Sequence, residues 1–159
     1  TDLRREDLEP AWVRDCDHLF VSGYALLREP ARSAAFCAVE TAREGHVAVS
    51  VDLGTWSAIR DAGADEFREV VLGLAPDVVF ANEDEERVVG GPFPGATWIL
   101  KRGPRGASFA GDERAALPVA QVVDSTGAGD ALAAGWIVGG PDLALEAAAR
   151  CVARLGSLP

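Results

Sequence analysis

The residues able to do chemistry are concentrated in Asp124-Ser125-Thr126-Gly127-Ala128-Gly129-Asp130. This stretch lies between an apolar run, 117–123, and a helical run, 131–138, which predicts a strand, a tight glycine turn and a helix start. The first turn of a helix leaves backbone N–H groups without intrahelical partners and carries a partial positive charge, so anions bind there. Gly127 and Gly129 have no Cβ to hold a phosphate at a distance. Asp130 adds one carboxylate at the end of that pocket, able to accept a proton from a hydroxyl group. Asp124 and Thr126 offer side-chain oxygens that suit a helix cap or a monovalent cation, with the cap the better-supported reading.

Two further groups sit at predicted strand ends. Asn82-Glu83-Asp84-Glu85 directly follows the apolar strand 77–81, and Asn82 and Glu85 are about one helical turn apart. An amide and a carboxylate at that spacing suit a magnesium ion that keeps most of its water; acidic residues that stabilise a helix N-terminus are the alternative, favoured when the motif is taken alone. Lys101-Arg102-Gly103-Pro104-Arg105-Gly106 ends another strand and turns back on itself, clustering three cations where a triphosphate could lie. Lys101 is the only lysine, against fourteen arginines.

Asp124-Ser-Thr-Gly-Ala-Gly-Asp130, followed by Ala134-Gly135, resembles the C-terminal signature of the ribokinase-like (PfkB) carbohydrate kinases. Asn82-x-x-Glu85 matches the same family's magnesium motif, and Lys101-x-Gly103-x-x-Gly106 its loop on the nucleotide side. The resemblance implies phosphoryl transfer from ATP to an alcohol of a sugar or sugar-like molecule. It makes Asp130 the base, has the N–H groups of Gly127, Ala128 and Gly129 stabilise the transferring phosphoryl, and gives Lys101, Gly103, Arg105 and Gly106 to the nucleotide. Asn82 and Glu85 organise Mg2+ through water, and Asp124 and Thr126 take K+. A homodimer is admitted as the assembly.

The resemblance covers nearly the whole chain but only the C-terminal half of the family's domain, and so implies a missing N-terminal half with much of the sugar site and a small β-sheet lid. Where some relatives carry Asp-x-Asn-x-Arg, this chain reads Asp52-Leu-Gly-Thr-Trp56, so a sugar-acid substrate does not follow. Leu132 and Trp136 also depart from the family's usual residues. The alternative is a non-catalytic nucleotide-binding or interaction module that keeps the motif as architecture.

The elements that must position these groups alternate. Helical spacing covers 5–16, with Leu8, Trp12 and Val13 on one side. A strand at 18–22 leads through a loop at Gly23-Tyr24 to a helix from Pro30 to about Glu44, a strand at 47–51, helical pieces at 58–62 and 65–74, and a strand at 77–81. A short helix to Val89, a strand at 97–101, a hairpin over 103–116, a strand at 117–123 and two helices, 129–139 and 142–155, complete the chain. Repeated βα units with continuous apolar strands predict an α/β fold: a doubly wound, mostly parallel sheet with helices on both faces, as a single domain over 1–159. Ligands in such sheets bind beyond the carboxyl ends of the strands.

With 159 residues, 48% of them hydrophobic, the chain is sized for one domain with a sizeable core. A net charge of -10 argues against nucleic acid or an anionic membrane surface as partner. Cys16, Cys37 and Cys151 show neither disulfide nor zinc spacing and read as reduced core residues of a cytoplasmic protein. No methionine stands at position 1, and no signal peptide or membrane span is expected, so the sequence reads as starting inside a longer product or after processing. His18 and His46 are expected to be structural. The four tryptophans are scattered, as core or sheet-cover residues would be.

Overall fold

The computed structural model describes residues 2–156. The chain divides into two compact units, Thr1–Trp98 and Ile99–Pro159.

In the first unit, β1 (His18–Ser22), β2 (Ala48–Asp52) and β3 (Val78–Asn82) run parallel, with Leu19 opposite Val49 and Val51 opposite Val79. Their β-branched residues are buried from both sides, as a helix-covered parallel sheet requires: Val49, Val51, Val79 and Phe80 are fully inaccessible. Asp77 fixes the start of β3, since its N–H donates to Val49 O (2.8 Å) and its Oδ2 accepts from Val49 N (2.7 Å). Between the strands lie α2 (Gly23–Leu26), α3 (Ala31–Glu44), α4 (Trp56–Ala62) and α5 (Ala64–Leu74), and α6 (Glu83–Val89) follows β3. Pro30 precedes α3 and Gly45 follows it, as read from the sequence. Gly23-Tyr24 is not a loop but the first turn of α2.

The single helix expected over 5–16 is broken. A 3-10 turn spans Arg5–Asp7, and α1 (Pro10–Arg14) starts afresh with Pro10 in its first turn, where the missing N–H costs nothing; inside a longer helix it would remove a hydrogen bond. Val13 is buried, but Trp12 is 71% exposed, against its expected place on an apolar side.

Strand β4 (Thr97–Lys101) carries the chain into the second unit, where it pairs antiparallel with β5 (Ala107–Phe109), and β5 pairs antiparallel with β6 (Asp112–Arg114). The hairpin was expected; parallel pairing therefore holds for β1 to β3 and not here. Residues 117–123 form no strand, contrary to expectation. Pro118 has no N–H for a ladder, and Leu117, Val122 and Val123 are 44, 60 and 50% exposed rather than sandwiched.

The last element, α7 (Ala128–Val152), contains two helices joined at Gly139 and Gly140, whose dihedrals are not helical, with Pro141 just after. This is the predicted pair of helices. They cross tightly at Gly135, where a Cβ would stand 2.6 Å from Leu143 O and 2.8 Å from Ala144 Cα. Among the described residues no helix is long and apolar enough to cross a membrane.

Candidate active site

Asn82 ends β3 and caps α6. Its Oδ1 accepts from the N–H groups of Asp84 (3.0 Å) and Glu85 (2.9 Å). Glu85 answers: Oε2 accepts from Asn82 N (2.7 Å) and Oε1 from Asn82 Nδ2 (2.8 Å). The two residues meet as the spacing requires, but they face each other in a capping box, and Glu85 is 1% exposed. Both side chains supply hard oxygen donors, already engaged within the box. That donor set fits magnesium through intervening water rather than by direct ligation.

The second unit holds the other two motifs. Lys101 is the last residue of β4, and a 3-10 turn over Gly103–Arg105 follows. Arg102 N donates to Gly106 O (2.8 Å) and Gly106 N to Gly103 O (3.0 Å), closing the loop. Gly106 is obligatory: its φ is +99°, and a Cβ there would stand 1.9 Å from Arg114 O. The Arg105 side chain is exposed.

The signature turn is braced from both sides. Asp124 Oδ1 accepts from Thr126 N (2.9 Å) and Oδ2 from Gly156 N (3.0 Å). Donation from the Thr126 N–H and hydroxyl, then from the Gly156 N–H, holds the Asp124 carboxyl below its ordinary pKa. Val123 N reaches Val152 O (2.8 Å), and the Cys151 thiol donates to Thr126 O (3.4 Å). Gly127, at φ +78°, caps α7, and Ala131 N donates to its carbonyl (2.8 Å). The Ala128 N–H donates to Ser125 O (3.2 Å), so of the three N–H groups expected to meet phosphate this one is engaged within the turn. Asp130 lies in the first turn of α7, exposed.

Lys101 and this turn are neighbours. A Cβ on Gly129 would lie 3.3 Å from Lys101 Nζ and 3.6 Å from its Cδ, so the lysine side chain runs across a position in the first turn of α7 that carries no side chain. Beside them opens a cavity of about 450 Å³. Gly103, Gly106, Ser125 and Ala128 border it with Lys101 and Gly129; the rest of its wall is apolar, from Leu117, Pro118, Val119 and Val122 on one side and Leu132, Leu145 and Ala148 on the other. The sequence reading missed this apolar wall. Its only signal was the run 117–123, which alone reads equally well as a strand.

The family model for pfkB family carbohydrate kinases matches residues 2–158. The chain belongs to the PfkB family. A curated relative, the ATP-dependent ribose-1-phosphate kinase of Halopiger xanaduensis, is 32% identical over 162 residues, covering 92% of this chain and 50% of the relative. Among solved structures, a probable sugar kinase from Rhizobium etli superposes with a TM-score of 0.87 at 23% identity, over 99% of this chain and 55% of that one. A putative ribokinase II from Escherichia coli, solved with ATP and Mg2+, gives a TM-score of 0.79 at 23% identity, over 98% of this chain and 58% of that one. These likenesses establish the ribokinase-like α/β fold. The chain spans about half the length of the relatives it matches.

Proposed function

We propose that the protein transfers a phosphoryl group from ATP to an alcohol of a sugar-like substrate, and that this chain supplies the nucleotide side and the base. The observation that carries the reading is the placement of Lys101 across Gly129 at the start of α7, one residue before Asp130, beside a cavity large enough for a nucleoside. Phosphoryl transfer needs little covalent help; positioning and charge stabilisation do most of the work.

In this reading the loop of Gly103, Arg105 and Gly106 holds the phosphate chain with Lys101. The N–H groups of Gly127 and Gly129, joined by Ala128 when Ser125 releases it, donate to the oxygens of the transferring phosphoryl. Asp130 accepts the proton of the attacking hydroxyl. Asn82 and Glu85 orient water toward magnesium, which when bound neutralises phosphate charge. Asp124 and Thr126 keep the turn in shape, with lone pairs to spare for K+. A cytoplasmic location and a homodimer complete the proposal.

The test is Asp130→Asn in the protein with its full chain, assayed by ADP release over a panel of sugars and nucleosides. Turnover is expected to fall by a factor on the order of 10²–10⁴ with nucleotide affinity unchanged. Near-normal turnover would remove Asp130 from its role. ATP binding without turnover on any alcohol would favour the non-catalytic module instead.

A further inference from the structure

We propose that the cavity of the second unit is permissive toward the nucleobase: it takes guanosine and inosine triphosphates with affinities within about a hundredfold of that for ATP, and purines in preference to pyrimidines. This rests on the nucleotide reading above and specifies its donor range.

The argument is in the distribution of polar groups. Among the residues that line the cavity only Lys101 and Ser125 carry polar side chains. Both stand at the phosphate end, Lys101 across Gly129 and Ser125 inside the signature turn. The remaining wall is built of Leu, Val, Ala, Gly and Pro, and Pro104 and Pro118 have no N–H to offer a ring nitrogen.

Adenine, guanine and hypoxanthine differ in the group at C6, the protonation of N1 and the presence of an amino group at C2. A site separates such bases strongly only when buried polar groups pair with those edges and are stranded by the wrong one; pairing of that kind gives discrimination of roughly 10⁴–10⁵, whereas an apolar wall gives no more than about 10². Here the base gains from area removed from water and from contact with its flat faces, both of which every purine offers. A pyrimidine covers less of the wall and gains less.

The experiment is calorimetric titration of the protein, in magnesium buffer, with ATP, GTP, ITP, CTP and inorganic tripolyphosphate. The expected result is dissociation constants for GTP and ITP within a hundredfold of that for ATP, with CTP and tripolyphosphate weaker than all three. Val122→Ser, at a position 60% exposed and so harmless to folding, is expected to weaken ATP and GTP by the same factor within threefold. A preference of a hundredfold or more for ATP overturns the proposal. So does tripolyphosphate binding as tightly as ATP, since the wall would then contribute nothing, and so does a Val122→Ser effect confined to one base. Failure of every triphosphate to bind at millimolar concentration overturns the nucleotide reading itself, an outcome distinct from binding that discriminates between bases.

Discussion

Asn82 and Glu85 bind each other through three hydrogen bonds, and Asn82 Oδ1 accepts a further one from the Asp84 N–H. The motif is thus a structural unit before it is anything else. Glu85→Ala removes both reciprocal bonds from a fully buried position, and we expect a loss of about 2 kcal/mol, read as a lowered urea midpoint without added magnesium. An unchanged midpoint would mean that the pair is held for its ligand alone.

The strands of the first unit were legible as continuous apolar runs, and most of its helices by their helical spacing, α3 with Pro30 before it and Gly45 after it. Two stretches were not. Residues 5–16 have helical spacing throughout, but one proline at position 10 outweighs periodicity. Residues 117–123 have the composition of a buried strand, yet line a cavity, and composition alone does not say whether an apolar side chain faces a sheet neighbour or an open wall. At the site, the glycines and Asp130 were legible as types; the pairing of Lys101 with Gly129 was not, because it depends on where β4 ends relative to α7.

Gly129→Ala separates binding from folding. Alanine is the better helix former by about 0.5–1 kcal/mol, and the atom it would meet is the mobile end of a lysine. Stability is expected to hold or rise while ATP affinity falls at least tenfold, measured by thermal melting and calorimetry on the same sample.

Gly106→Ala acts in the opposite way. The added methyl would overlap the Arg114 carbonyl at a backbone angle that suits glycine alone, so the loop and the β6 end have to part. We expect a loss of about 3 kcal/mol or more, with hydrogen exchange raised at Arg102 and Gly106.

Acidification is expected to weaken the first unit in two stages. Burial lowers the pKa of His18, whose Nε2 lies 3.0 Å from Ser50 Oγ, against a smaller opposing pull from Asp77. The unfolded chain therefore takes up a proton first, so this contribution is complete above the ordinary imidazole value of about 6.5 and is lost as pH falls through it. Burial pushes Asp77 upward, but donation from Val49 N and the Arg43 guanidinium outweighs it and leaves the carboxyl low, so a second loss starts as pH falls through the ordinary carboxylate range and is complete below it. Urea midpoints from pH 8 to 3 are expected to show both limbs, and His18→Gln to flatten the upper one only.

The bracing of the signature turn by Val152 and Gly156 sets an order of events during synthesis. Asp124 is made 32 residues before the N–H that its second oxygen accepts. While that stretch is still inside the ribosome the signature turn lacks the bonds from Val123 to Val152 and from Gly156 to Asp124. The signature turn is therefore completed only once the chain through Gly156 has been made.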